Sequence, residues 1–491
     1  MRRPPVAGAS GARRDRYDVV VVGTGFASSF FLHRFLERAP DSARVLVLER
    51  GRVHSHASQL RAGRRGLREA SATAVDNRSA DKRWEFCIAL GGGSNCWTGN
   101  TPRMLPDDFR LRSAFGVGAD WPFGYEILEP YYDAAERIMA VAGPTRAAFP
   151  RSGPYPQPPH ILSAMDEVLA RAFPDAFFPA PSARPTLATT VRPPCCANGV
   201  CDLCPIDSKF RVPRELGGLF EDPRVTLRLG AAVQSLETEG GVATAVIADE
   251  EGREVRYGGD AFVLGANAIF NAHILLRSGL GGPRVGRGLC EQVSRTVVLY
   301  LDGVEHFGGS TKVTGHGYML HGAERRRTKA AALIETHNAP IRLRADQGRW
   351  REILPLRVIC EDLPQSPNRV ELDGSVPERP VLRFDAGRSD YARRALDSIE
   401  EDLGRLVSGL PVEGLDVREE NPTESHILCT TPMSRSPAEG VVDPDAILHG
   451  VRNVAVLGSG SFPTASPANP TLTICALALR CGDHLAAGAA S

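Results

Sequence analysis

Apolar positions near the start of the chain read as strand, turn, helix, strand. Tyr17-Asp-Val-Val-Val-Val-Gly23 is a β-branched run with almost no polar interruption, the pattern of a strand covered on both faces. It turns on Gly23-Thr-Gly25 into a helical pattern that begins near Phe26, and Arg44-Val-Leu-Val-Leu-Glu49 predicts a second strand of the same kind. His54 to Lys82 is polar and arginine-rich without a clear period and reads as an excursion from the fold. From Trp121 to Gly143 the positions Leu128, Tyr131, Tyr132, Ala135, Ile138 and Met139 keep helical spacing, with Pro122 and Gly124 marking the start. A proline-rich stretch follows from Pro150 to Pro159. Val225 to Val246 alternates as hairpin strands do, and Ala261-Phe-Val-Leu-Gly-Ala266 predicts a short buried strand. Thr296 to Pro422 reads as alternating strands with one amphipathic helix around Tyr391 to Leu410, and no internal repeat is evident.

With 491 residues, 42% of them hydrophobic, the chain is long enough for two or three domain equivalents around a large core. Lys+Arg and Asp+Glu are both 58, so no global basic field exists to attract nucleic acid. Residues 1–16 read as a flexible basic tail rather than a signal peptide, since no apolar stretch precedes Tyr17. No segment approaches the roughly 20 apolar residues of a membrane span, which leaves the cytoplasm as the expected location. In a reducing compartment the 11 cysteines are expected to be thiols or metal ligands.

The opening pattern carries chemistry. Gly23 permits a tight turn, Gly25 lets the backbone approach a pyrophosphate, and the following helix aims free amides and its positive end at the phosphates. Ser28 takes the third glycine position, where a small side chain is tolerated. Glu49, at the end of the second strand, is placed to accept hydrogen bonds from a ribose diol and argues against a 2′-phosphate. Leu90-Gly-Gly-Gly-Ser-Asn-Cys-Trp97-Thr-Gly-Asn100 offers consecutive glycines that let backbone lie flat against a planar ligand. Cys195-Cys196, Cys201 and Cys204 crowd into one loop, and Cys-x-x-Cys followed by Pro205 is a pairing used by iron-sulfur proteins. Zinc, free thiols and a redox disulfide remain open readings of that loop.

The C-terminal stretch Asn453-Val-Ala-Val-Leu-Gly-Ser-Gly-Ser-Phe-Pro-Thr-Ala-Ser-Pro-Ala-Asn469-Pro-Thr-Leu-Thr resembles the signature of the glucose-methanol-choline (GMC) oxidoreductases, flavoproteins that oxidise alcohols. The resemblance extends over nearly everything after Tyr17. It implies an α/β protein with a Rossmann-type FAD-binding domain and a discontinuous α+β substrate domain built on an antiparallel sheet. The expected division is 17–115, 210–295 and 430–491 for FAD, and 116–209 and 296–429 for substrate, including the cysteine loop at 195–204. The glycine loop resembles the family's flavin-ring loop, and its Trp-Thr pair is like that of pyranose oxidases, which join a His here covalently to the flavin. Cys96 stands at that position, so the His linkage is absent and a cysteinyl link is the alternative.

The same resemblance implies cofactor contacts from Gly23, Gly25, Ser28, Glu49, Gly92, Gly93, Ser94, Asn95, Trp97, Thr98, Gly99, Asn100, the Val233 backbone near adenine, Gly458, Ser459, Pro470 and Thr471. Ser425-His426-Ile-Leu-Cys429-Thr430-Thr-Pro432-Met resembles the family's His segment, which makes His426 the candidate base and Asn469 the group that holds the substrate oxygen. Cys429, Pro432 and Ser434 replace residues usual in the family, so the loop is expected to differ in shape. His449 and His484 read as structural. The cysteine loop is similar to that of the flavin-bearing subunit of bacterial glucose and fructose dehydrogenases, one residue shorter between Cys201 and Cys204, and there it holds an iron-sulfur cluster.

These features imply FAD-dependent oxidation of a hydroxyl on a sugar, glycoside or polyol, with Cys195, Cys196, Cys201 and Cys204 as candidate iron-sulfur ligands. If the cluster is present, a dehydrogenase with a protein or quinone-like acceptor is favoured over reaction with oxygen. The competing readings are a lyase that keeps its flavin as structure, and a flavin-binding accessory protein that has lost catalysis.

Overall fold

The computed structural model describes residues 16–63, 66–338 and 343–489. Residues 1–15 of the basic tail lie outside the described residues; Arg16, assigned to the tail, opens the first strand and pairs with Gly258. Two large sheets organise the molecule. The first has seven strands, and Arg16–Val22 lies between Val45–Glu49 and Arg253–Leu264, parallel to both. Val225–Leu229 extends it beyond Val45–Glu49, while the hairpin Ala231–Glu239 and Val242–Glu250 closes the other side antiparallel to Arg253–Leu264.

The short apolar run at Ala261 is the end of this 12-residue strand. Its first half, Arg253 to Gly258, pairs with the hairpin, and its last residues pair with Val454–Val456, returning from near the C-terminus. The predicted hairpin at 225–246 is therefore shared: its first strand joins Val45–Glu49, and the hairpin proper begins at Ala231. Helix Phe26–Arg38 and the long helix Thr471–Ala489 pack on each other. Val20, Val21, Phe30, Phe31, Leu46 and Leu472 are buried in one continuous core.

The second sheet has six strands, ordered Val412–Glu420, Val293–Leu301, Ile353–Cys360, Ala332–His337, Val313–Leu320 and Phe177–Pro179, with every neighbour antiparallel. The amphipathic segment beside it is two helices, Asp390–Asp397 and Ile399–Val407, whose Tyr391, Ala395, Leu396 and Leu403 fill the core against the sheet. Asn368–Glu371 stands apart in a three-stranded sheet with Val381–Phe384 and Asp76–Asn77.

Two further features depart from the sequence expectation. The excursion after the second strand contains helices His56–Ala62 and Gly66–Ala72, each too short to show a period. Helix Tyr125–Met139, assigned to the substrate domain with 116–209, packs on Thr471–Ala489 and buries Tyr125, Leu128, Tyr132, Ala135 and Met139 in the first core. Its apolar stripe is real, but periodicity does not say which sheet the stripe covers. Among the described residues no helix is long and apolar enough to cross a membrane. The interleaving of the sheets in sequence leaves a cavity between the first sheet's carboxyl end and the second sheet.

Candidate active site

Three helix starts meet at this cavity of about 490 Å³, whose lining includes Gly25, Phe26, Ala266, Asn267, Pro470 and Thr471. Backbone amides of a first helical turn have no internal acceptor and carry the positive end of the dipole, so each start favours an anionic or electron-rich group. Gly23 has φ +88°, and a Cβ there would lie 2.8 Å from Gly265 O, so only glycine fits the turn. A Cβ on Gly25 or on Gly93 would meet no protein atom within 4 Å. These two glycines face open cavity, and the room beside their backbone suits a pyrophosphate at the first and a planar ring at the second.

Glu49 lines the cavity with its carboxylate already engaged. Oε2 accepts from Thr24 N at 3.0 Å and Thr24 Oγ1 at 2.6 Å, and Oε1 accepts from Gly51 N at 2.6 Å. Burial pushes its pKa up, and the Thr24 and Gly51 hydrogen bonds oppose that shift. A carboxylate has about four acceptor positions, so capacity remains for a ribose hydroxyl.

The cavity brings together Gly23, Gly25, Glu49, Gly92, Gly93, Trp97, Thr98, Asn100, Val233, Gly458, Ser459, Pro470 and Thr471 from the sequence reading, with His426 and Asn469. Ser28, Ser94, Asn95 and Gly99 are placed behind it instead. Ser28 Oγ donates to Val22 O at 3.1 Å and packs against Gly265. Ser94 Oγ accepts from Val212 N, Asn95 Nδ2 donates to Leu90 O and Gly92 O, and Gly99 packs on the Arg184 guanidinium. They shape the glycine loop by filling its back, a role sequence does not separate from ligand contact.

His426 is held from two sides. Glu291 Oε1 accepts from His426 N at 3.0 Å, Glu424 N at 2.9 Å and Thr423 Oγ1 at 2.8 Å, while its other oxygen pairs with the buried Lys82 ammonium. This fixes the backbone of a loop in which Ser425 takes φ +60°. The ring is set by Gln292. Its amide nitrogen donates to Ser466 O at 2.6 Å and Ala468 O at 2.7 Å, so its oxygen is the atom facing His426 Nδ1 at 2.6 Å. Nδ1 therefore carries the proton, and Nε2 is left as the basic nitrogen. Burial pushes the His426 pKa down to about 4, with Glu335 opposing and Arg357 assisting, so the imidazole is neutral at physiological pH.

Asn469 lies one residue beyond Ala468, and its Oδ1 is buried without a protein partner. A buried acceptor left open is costly unless a ligand satisfies it. Ser459 to Ser461 tie the two motifs together: Cys429 N, Thr431 N and Met433 N donate to Ser459 O, Gly460 O and Ser461 O. Cys429 adopts φ +68°, the left-handed conformation that favours glycine.

Around His426 the wall is polar and charged: Asn100, Asp202, Lys312, Arg357 and Glu424 line the cavity. Arg357 pairs with Glu424 at 3.0 Å and Lys312 with Asp202 at 3.3 Å. Apart from Asn100, none of these, nor Glu291 or Gln292, follows from a motif. They are isolated polar residues of strands and loops, brought together only by the fold.

The cysteine loop holds free thiols, one of the readings left open by the sequence, rather than a gathered ligand set. Cys201 Sγ accepts from Lys312 N at 3.2 Å, Cys204 Sγ accepts from Ser208 N at 3.4 Å, Cys195 Sγ donates to Ser310 O at 3.5 Å, and Cys196 is exposed. Among the described residues no three His, Cys, Asp or Glu side chains converge as metal ligands. Cys195, Cys201 and Cys204 each meet a separate backbone partner and Cys196 points to the surface, so the four thiols as placed do not converge on an iron-sulfur cluster or zinc, and the loop lies as a strap behind Lys312.

The family description GMC oxidoreductase matches residues 364–478, the segment that carries His426, Ser459 and Asn469. Over this segment the chain is similar to the GMC oxidoreductases. It is 29% identical to paromamine 6'-oxidase of Streptomyces fradiae over 96% of its own length and 91% of that protein's. It is 25% identical to the fructose dehydrogenase large subunit of Gluconobacter japonicus, over 81% of the chain and 80% of that protein. A solved fungal aryl-alcohol oxidase superposes with TM-score 0.68 at 14% identity, covering 97% of this chain and all of the other (100%), which shows the GMC fold.

Replacing Gln292 isolates the orientation of the ring in this GMC site. Gln292→Leu is expected to slow reduction of the bound cofactor by substrate roughly 10- to 100-fold, the range for losing a partner that orients a histidine. Gln292→Glu is expected to move the acid limb of the pH–rate profile upward from about 4, because a carboxylate beside Nδ1 stabilises the imidazolium. A profile unmoved in both variants would show that Gln292 does not set the ring.

Proposed function

We propose that this protein uses FAD to oxidise a hydroxyl group of a sugar, glycoside or related polyol, with His426 as base. The carrying observation is that His426, its Nδ1 proton fixed by Gln292, and the open acceptor Asn469 Oδ1 line one cavity with the glycine turns and helix starts that suit a flavin dinucleotide. FAD supplies the hydride acceptor. His426 Nε2 takes the hydroxyl proton, and Asn469 orients the hydroxyl so that one hydrogen of its carbon faces the glycine loop. Desolvation keeps His426 unprotonated over the physiological range, which a base requires.

The charged wall of Asp202, Lys312, Arg357 and Glu424 offers donors and acceptors to several hydroxyl groups at once, which supports a polyhydroxylated substrate over an apolar alcohol. The names of the relatives support the same class. We further propose that the enzyme acts in the cytoplasm; without a cluster to lead electrons outward, the likeness to paromamine 6'-oxidase supports an oxidase and that to the fructose dehydrogenase subunit a dehydrogenase, and oxygen uptake matching turnover decides for the first.

The purified protein is expected to be yellow and to release FAD, not FMN, on denaturation. Glu49→Ala is expected to lower the retained FAD without changing the chemistry of what remains, because Glu49 shapes the turn through Thr24 and Gly51. Stoichiometric NAD with no flavin would overturn the reading.

A further inference from the structure

Cys201 and Cys204 are buried, and between them Asp202 lines the cavity. The backbone on either side of Asp202 is anchored. Cys201 Sγ accepts from Lys312 N at 3.2 Å, and the Arg184 guanidinium donates to Cys201 O at 3.4 Å and to Thr98 O of the glycine loop. Lys209 Nζ donates to Asp202 O at 2.8 Å and to Trp97 O at 2.7 Å. Burial pushes the Lys209 pKa down to about 7, and ammonium and amine alike can make these two bonds. The His56 ring lies 2.7 Å from Cys204 O through Nε2. The segment that carries Asp202 is thereby fixed between the glycine loop and the second sheet, whose strand Val313–Leu320 begins just after Lys312.

We infer that the cysteine loop is a specificity loop, and that Asp202 together with Lys312 binds a vicinal diol of the substrate, a pair of hydroxyls other than the one oxidised at His426. The inference rests on the proposed polyhydroxylated substrate and adds which arrangement of hydroxyls is recognised. Lys312 Nζ lies 3.4 Å and 3.3 Å from the two Asp202 carboxylate oxygens, longer than the roughly 2.7–2.9 Å of a closed charge-assisted bond. Both side chains line the cavity and stay within its reach, at 20% exposure for Lys312 and 18% for Asp202. Glu424 differs: it is 4% exposed and engaged by Arg357 at 3.0 Å.

The chemistry of the pair selects its ligand. A carboxylate only accepts hydrogen bonds and an ammonium only donates them. A ligand ammonium at this place would face Lys312 and a ligand carboxylate would face Asp202, so like charge disfavours both. The complement is a neutral group that donates from one atom and accepts at the next. Two hydroxyls on adjacent carbons do so, one donating to the Asp202 carboxylate and the other accepting from Lys312 Nζ, whereas hydroxyls on opposite ends of a ring engage one partner at a time. The anchored backbone holds Asp202 in place before the ligand arrives, which lowers the ordering cost of binding.

The test titrates the purified protein, reduced beforehand with dithionite and kept anaerobic so that binding is measured without turnover, with trans-1,2-cyclohexanediol and with trans-1,4-cyclohexanediol in a calorimeter. The 1,2-isomer is expected to bind roughly 10- to 100-fold more tightly, the range for one additional hydrogen bond to a charged group. In Asp202→Asn and in Lys312→Met the two isomers are expected to bind alike. Cys196→Ser, which alters the exposed thiol of the same loop, is expected to keep the preference of the parent. Equal binding of both isomers by the parent, binding of neither, or a preference that survives in Asp202→Asn would each overturn the inference. A vicinal preference that Asp202→Asn removes, found in a protein whose flavin no sugar reduces, would support the inference while overturning the proposed oxidation.

Discussion

His426→Ala slows reduction of bound flavin by the best substrate by roughly 10² to 10⁴-fold, the usual range for removing a general base, with FAD content unchanged. The separation of effects follows from the structure. His426 contributes one wall of the cavity, whereas the dinucleotide region is built from Gly23, Gly25, Glu49 and the helix starts. The parent protein also has a pH signature. A base acts only when unprotonated, so the rate falls as pH drops through the folded-state pKa of about 4 and is flat through the range near 6.5 where a solvated histidine titrates. Rapid anaerobic mixing across pH tests both points. A variant as fast as the parent, or an acid limb near 6.5, would remove His426 from this role.

The second large effect is on stability. Glu291 and Lys82 are buried at 1% and 4% exposure, and their ion pair anchors the loop that carries His426. Lys82 also lies 4.7 Å from the Trp84 ring centroid. Glu291→Gln keeps an oxygen for the His426, Glu424 and Thr423 donors but leaves the ammonium without its counter-charge. Such a loss typically costs about 3–5 kcal/mol; burial pushes the Lys82 pKa down to about 7, so the cost is expected to shrink as pH rises and the amine sheds its proton. Lys82→Met leaves the carboxylate alone and is expected to cost a similar amount, while the double variant is expected to lose less than the sum because no unpaired charge remains. Denaturant unfolding of the four proteins measures the coupling. Strict additivity would show that the pair does not act as a unit.

The nucleotide-binding half was legible because local pattern and chemistry agree there: a buried β-branched strand, a turn that only glycine permits at Gly23, and a helix at Phe26. His426 and Asn469 were legible as motif members. What sequence could not supply was what lies behind them. Gln292 orients the imidazole from the other end of a chain segment 134 residues away, and no period or spacing announces such a contact. Helix Tyr125–Met139 shows the same limit in packing, since its stripe was plain and its partner, Thr471–Ala489, was not. The cysteine loop failed in the opposite direction. Close spacing suggested a shared ligand, but Cys195, Cys201 and Cys204 each found a separate backbone partner.

Anaerobic mixing of the purified protein with a panel of sugars, glycosides, amino-sugar glycosides and polyols, read by visible flavin absorbance and by product mass, tests the central claim most directly. Hydride transfer from a substrate hydroxyl predicts that at least one member of the panel bleaches the flavin and yields one carbonyl product, two hydrogens lighter, per flavin reduced. A flavin that stays oxidised across the panel, or a product formed without loss of those hydrogens, would contradict it.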